Sequence, residues 1–187
     1  MPLPLFGPNG LLPPFIGDNA TTADRSPYFV TIGDLVEGFG TTSHRRQLLR
    51  NLIAYRQLLA SDGYVEGYQF VDGSFVEDVE RIHSRPPNDI DVFSFLSLPS
   101  KYQGNSDAWS TMGGPFWIAE IIDQAKNMER FSLHTFALLA DEATLHRILY
   151  WYGLFSHQRD TLAWKGFAAV LLDMMGDQAA LIALGSA

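Results

Sequence analysis

The stretch Phe70-Val71-Asp72-Gly73-Ser74-Phe75, followed by Pro87-Asn88-Asp89-Ile90-Asp91-Val92-Phe93, decides how this chain is read. The first segment is an apolar strand that ends in Gly-Ser. In the second, two aspartates alternate with apolar residues. Side chains at i and i+2 of a β-strand point to one face. Asp89 and Asp91 therefore share a face, while Ile90 and Val92 turn the other way into a core. Two carboxylates held close together repel, and they are tolerated mainly where a cation sits between them. A small-residue pair at a strand-to-helix turn leaves backbone N–H groups open to an anionic oxygen. A Gly-Ser turn facing a twin-carboxylate strand is the cradle expected for a metal-bound triphosphate.

Working outward, Ser61-Asp62-Gly63 turns the chain into a strand over Tyr64–Asp72. Before it, Leu48, Leu49, Leu52, Ile53, Tyr55, Leu58 and Leu59 recur at helical spacing and predict a helix over His44–Ala60, with Thr41-Thr42-Ser43 offering hydroxyl caps. The first turn of that helix carries His44, Arg45 and Arg46, which oppose the helix dipole. Either an outside anion or acidic partner answers them, or they form a solvated basic turn near the chain's own carboxylates. Thr31–Gly40 reads as a short helix ended by glycine. Residues 1–30 read as an extended arm, because Pro2, Pro4, Pro8, Pro13, Pro14 and Pro27 exclude regular helix. Its Leu3, Leu5, Phe6, Leu11, Leu12, Phe15 and Ile16 are too apolar for a solvated tail. The arm packs along its own domain or against a partner chain, including a second copy.

Downstream of the turn, Gly73-Ser74 opens a short helix that includes Glu77, Asp78 and Glu80, and Arg81–Pro87 reads as a polar loop. Arg81, His83 and Arg85 there are phosphate contacts or ordinary loop charges. Asp89–Leu96 is the second strand, Pro99–Pro115 a long loop, and Phe116–Arg130 a helix with Trp117, Ile121, Ile122 and Ala125 inward. Phe131–Leu139 is the third strand and Asp141–Tyr152 a helix with Leu145, Ile148, Leu149 and Tyr152 on one face. The tryptophans, Tyr150 and Tyr152 read as core rather than as a stacking platform. Phe167–Leu172 is a fourth strand, and Met174–Leu184 an apolar tail helix or docking segment. No repeat or linker marks a boundary, so residues 31–187 read as a single domain.

Composition narrows the field. The chain is 47% hydrophobic and 18% charged, which supports a sizeable core and argues against disorder. A net charge of −8 disfavours broad attraction to nucleic-acid backbones. The absence of cysteine removes disulfides, thiolate metal sites and a cysteine nucleophile. No basic region followed by an apolar run opens the chain, and no apolar run approaches about 18 residues. Neither a signal peptide nor a membrane span is expected, and a cytoplasmic location is the simplest expectation.

The ordered set Gly73-Ser74 and Asp89-x-Asp91 resembles the signature of the nucleotidyltransferase superfamily, the DNA polymerase β-like fold. Further segments strengthen it: Asn9-Gly10-Leu11-Leu12-Pro13-Pro14, Arg45-Arg46, and Tyr150-Trp151-Tyr152-Gly153-Leu154-Phe155 with Arg159 and Lys165-Gly166. Together they resemble small stand-alone bacterial and phage nucleotidyltransferase-like proteins. The resemblance implies an α/β (α+β) fold, with a mixed sheet of about four to five strands flanked by helices behind the proline-rich arm. It implies transfer of a nucleoside monophosphate from an NTP to an acceptor hydroxyl on RNA, protein or a small molecule. Asp89 and Asp91 would be catalytic and hold Mg²⁺ or Mn²⁺. Gly73, Ser74, Arg159 and Lys165 would bind the nucleotide. Toxin–antitoxin and phage-defence settings follow by fold-level analogy alone. The superfamily draws a third acid from a later strand, where this chain carries His134 as a metal-ligand candidate, with Asp141 and Glu142 beyond it. The alternative is a catalytically degenerate fold that binds nucleotide or a protein partner.

Overall fold

The computed structural model describes residues 3–19, 21–141 and 144–185, so Pro2, Glu142 and the Leu145 side chain lie outside the described residues. At its centre is a five-stranded mixed sheet in the order β1-β5-β2-β3-β4. The strands are β1 (Tyr28–Val30), β2 (Gly67–Asp72), β3 (Ile90–Leu96), β4 (Leu133–Leu139) and β5 (Ala168–Leu171). β2 runs antiparallel to both β3 and β5, while β1–β5 and β3–β4 are parallel pairs. The α/β expectation and its strand number hold. β1 is an addition, because Tyr28–Val30 falls inside the stretch expected to be arm.

Local chemistry sets the helix ends. α1 (Ile32–Phe39) begins with a capping box in which the Asp34 N–H donates to Thr31 Oγ1 and the Thr31 N–H donates to Asp34 Oδ2, and it ends at Gly40. α2 (Ser43–Ser61) is capped by Thr42, whose hydroxyl accepts from the Arg45 N–H. Its apolar stripe of Leu48, Leu49, Leu52, Ile53, Tyr55 and Leu59 is buried. The strand expected from Tyr64 starts only at Gly67, where φ is +138° and a Cβ would lie 2.0 Å from the Phe95 carbonyl oxygen. Only glycine fits there.

The two faces of the sheet differ. Ile90, Val92 and Leu96 turn into a largely aliphatic core beneath α1, α2 and α8 (Asp177–Leu184). Phe93 and Phe167 belong to an aromatic layer on the opposite face, with Phe70, Phe136 and Phe155. α7 (Thr144–Phe155) covers that layer, with Trp151 stacked 4.8 Å from Phe93. The inward face of α7 is Ile148, Trp151, Tyr152 and Phe155, whereas Leu149 and Tyr150 are exposed, against expectation.

Other expectations are corrected by capping and packing. The short helix after Gly73 is broken. A single 3₁₀ turn spans Gly73–Val76, and α3 (Val79–His83) starts separately, leaving Glu77 between them. The presumed loop 99–115 is mostly helical: α4 (Ser106–Ala108), capped by Asn105, runs through wide π turns at Trp109–Gly113 and Trp117–Ile121 on either side of α5 (Gly114–Phe116). Asp123 then caps a new helix, α6 (Gln124–Phe131), so the expected helix over 116–130 is interrupted and Ile122 and Ala125 face outward. Phe131 closes α6 rather than opening β4. The arm packs on its own domain. Leu11 and Leu12 are buried, Phe6 stacks on Phe39, and Tyr28 Oη donates to the Pro13 carbonyl at 2.7 Å.

Candidate active site

Three polar residues share one rung of the sheet on its aromatic face. Asp72 pairs with Asp91 across β2–β3, and Asp91 pairs with His134 across β3–β4. Directly paired residues project to the same face as close neighbours. His134 Nδ1 lies 3.1 Å from Asp91 Oδ1, and its Nε2 lies 3.3 Å from Gln124 Oε1. Gly73 follows Asp72 at φ +79°, and a Cβ there would stand 2.3 Å from Asp91 Oδ2. The glycine is required twice, by its left-handed backbone and by the carboxylate pressed against it.

Asp89 sits one residue before β3 and is partly buried. Burial and then the Asp91 charge push its carboxyl above the usual range, while His134, Arg159 and Arg85 pull it back. The two aspartates of the motif thus feel each other, and the two arginines lie within electrostatic reach. Arg159 and Arg85 are exposed, and Ser74 is partly buried beside Gly73. This much of the expected set comes together: Gly73, Ser74, Asp89, Asp91 and His134, with Arg159 at the margin.

Lys165 is elsewhere than expected. Lys165 is 2% exposed, and its ammonium donates to Glu77 Oε1 at 2.9 Å and to the Gly73 carbonyl at 3.2 Å, and lies 3.1 Å from Asp72 Oδ1. These three oxygens surround the charge expected at the phosphates. Glu77 Oε2 accepts from Gln158 Nε2 at 2.9 Å, and Gln158 Oε1 accepts from Thr161. Burial pulls the Lys165 pKa down, but Asp72 and Glu77 together hold it above its ordinary value. Asp72 is pushed up to about 7, first by burial, against the pull of Lys165 and of the Gly73 N–H, with Asp91 adding to the rise. Asp72 Oδ1 has no hydrogen bond of good geometry despite its ion-pair distance to Lys165.

The first turn of α2 holds both halves of the motif in place. Buried Arg45 donates to the carbonyls of Phe75 and Glu77, each at 2.6 Å, and forks onto the Glu80 carboxylate. His44 Nε2 bonds the Pro87 carbonyl at 2.7 Å, and Arg46 donates to the Gly40 carbonyl. The basic turn therefore answers internal acceptors, and Arg45 is not solvated. Arg81 pairs with Asp78 and reaches the arm carbonyls of Gly7 and Pro8. Asp141 stands beyond the far end of β4, bonded to Thr144, and does not reach the carboxylate rung. Sequence reasoning missed Asp72 and Glu77 as members of the site. The signal for Asp72 was a charged residue directly before Gly-Ser at the end of an apolar strand.

Among the described residues, no three His, Asp or Glu side chains converge as a metal-binding group. Magnesium does not need such a cage, because it is commonly held by one or two carboxylates with water and substrate phosphates completing its shell. Asp89 and Asp91 fit that pattern. They are mutually repelling carboxylates, partly open to solvent, and Asp91 is pressed against Gly73. Two hollows lie elsewhere: one of about 720 Å³ between α1 and α8, and one of about 240 Å³ at Phe29 and Tyr68.

The fold defines an α/β protein with a mixed sheet and a carboxylate–histidine rung at a Gly-Ser corner. The chain belongs to the family described as "Family of unknown function (DUF6932)", whose model matches residues 4–171, from the arm to the end of β5. No curated protein and no solved structure gives a significant match.

Proposed function

We propose that this protein is a nucleotidyltransferase that moves a nucleoside monophosphate from an NTP to an acceptor hydroxyl. The contact between Gly73 and the Asp91 carboxylate carries this reading. It brings the Gly-Ser turn and the twin-aspartate strand together at one corner, at the end of the β2–β3 pairing. Asp89 and Asp91 would hold Mg²⁺ or Mn²⁺, which when bound neutralises phosphate charge and lowers the pKa of an attacking hydroxyl. Gly73 lets the backbone approach a phosphate closely, and Ser74 offers a hydroxyl donor beside it. Arg159 and Arg85, exposed near Asp89, offer guanidinium donors to the outer phosphates. Lys165 acts from within, holding Asp72 and Glu77.

One observation favours a second reading, a nucleotide-binding module without turnover. His134 lies on β4, the strand from which the resemblance leads one to expect a third acid, and it engages Asp91 Oδ1. Incubating the purified chain with labelled NTPs, Mg²⁺ or Mn²⁺ and cell extract separates the two. Label on RNA, protein or a small molecule, abolished in Asp89→Ala, supports the enzyme. Nucleotide-dependent thermal stabilisation with no labelled product supports the binder. Absence of both removes the nucleotide from the account.

A further inference from the structure

We propose that Lys165 is a tethered cation that permanently fills the position a second divalent ion would take, so that the site holds one such ion per chain. This rests on Asp89 and Asp91 being the metal-holding pair.

The ammonium is enclosed by the donor types that hold a hard cation: carboxylates from Asp72 and Glu77, and the backbone carbonyl of Gly73. All three oxygens lie within 3.2 Å of the nitrogen. The cage adjoins Asp91. Asp72 is the cross-strand partner of Asp91, and Gly73, whose carbonyl completes the cage, is the residue pressed against the Asp91 carboxylate. The lysine is held rather than parked. It is 2% exposed, its own N–H donates to the Ser156 carbonyl at 2.8 Å, and the next residue donates to the Leu12 carbonyl at 2.7 Å. Glu77 is fixed from its other oxygen by Gln158.

Two consequences follow. A second divalent ion near Asp91 would need the Asp72 and Glu77 oxygens that the ammonium already occupies. It would also meet a positive charge in a buried setting, where repulsion is far stronger than in water. A bound triphosphate therefore meets one exchangeable cation and one covalently attached one.

The experiment counts ions without using catalysis. The full chain is titrated with Mn²⁺ alone, and free Mn²⁺ is followed by electron paramagnetic resonance. One ion per chain is expected, and none in Asp91→Asn that retains its fold. In Lys165→Met the carboxylates are released and the count is expected to rise to two, whereas Lys165→Arg keeps it at one. Two ions bound to the unaltered chain overturn the tethered-cation inference while leaving Asp89 and Asp91 as a metal pair. No ion bound to the unaltered chain, whether alone or with a non-hydrolysable NTP present, overturns the metal pair itself. A folded Lys165→Met that still binds one ion also overturns the inference. Should Lys165→Met fail to fold, the count on the unaltered chain still decides.

Discussion

A single missing carbon at residue 73 joins the two motif halves. Gly73→Ala must take φ near +79° and place a methyl group 2.3 Å from Asp91 Oδ2. The left-handed backbone alone costs about 1–2 kcal/mol for a residue with a Cβ. The clash adds to this by driving the Asp91 carboxylate away. Urea denaturation is expected to show the loss of stability, and Mn²⁺ binding is expected to weaken with it. Asp72 gives a second prediction at this scale. Its pKa rises from 3.8 unfolded to about 7 folded. Between those values the folded state binds more protons, so stability falls as pH rises through the window, by up to about 1.4 kcal/mol per unit. Asp34 and Glu80 are held below their ordinary values, so their contribution is lost in the opposite direction, as pH falls further into acid. Subtracting the stability profile of Asp72→Asn from that of the unaltered chain isolates the term. A difference that stays flat from pH 4 to 7 would refute it.

Among the elements, the first turn of α2 governs the site, and it does so through contacts the sequence does not display. Arg45 is buried among the Glu80 carboxylate and two carbonyls of the loop after Gly73, so Arg45→Ala leaves those acceptors unanswered. Glu80 is partly exposed, so the loss lies mainly in the two buried carbonyls, at about 1–3 kcal/mol for each acceptor left unsatisfied. Arg81→Ala, which removes an exposed pair with Asp78, should cost no more than about 1 kcal/mol, and equilibrium denaturation of the two variants tests the contrast. The same division explains what was legible. The α2 stripe, the alternation of Ile90–Leu96 and the Gly-Ser turn are periodic or local features, whereas His134 was singled out only through the resemblance. The partners of Arg45 and Lys165 are far along the chain, and nothing local selects them. β1 was missed because three residues after a proline carry no alternation of their own; they become a strand by pairing with β5. The helical turns over 106–115 were missed because their Ser, Gly and Pro content reads as loop, although Asn105 is a proper cap. Glu77 was placed in a helix by its acidic neighbours, yet Lys165 and Gln158 draw it out.

Over the whole molecule, two distant segments close the same aliphatic core, and they should fail differently when weakened. α8 is fastened on the aliphatic face, where buried Asp177 meets Arg56, which also reaches Gln69 and the Leu171 carbonyl. The arm is fastened behind the candidate site: Leu11 bridges Glu77, the Gly10 carbonyl accepts from the Asp78 N–H, and the Leu12 carbonyl accepts from the Gly166 N–H. Those contacts flank Glu77 and Lys165, so the arm forms the back wall of the ammonium cage. Leu12→Ala removes a fully buried side chain and should cost about 2–5 kcal/mol. Asp177→Ala strands a buried guanidinium and should cost about 3–5 kcal/mol. Equal damage to stability should have unequal consequences for the site. At a temperature where both variants are folded, Leu12→Ala is expected to weaken Mn²⁺ binding several-fold, while Asp177→Ala binds as the unaltered chain does. Matched binding in the two variants would mean that the arm covers the domain without shaping its carboxylate corner.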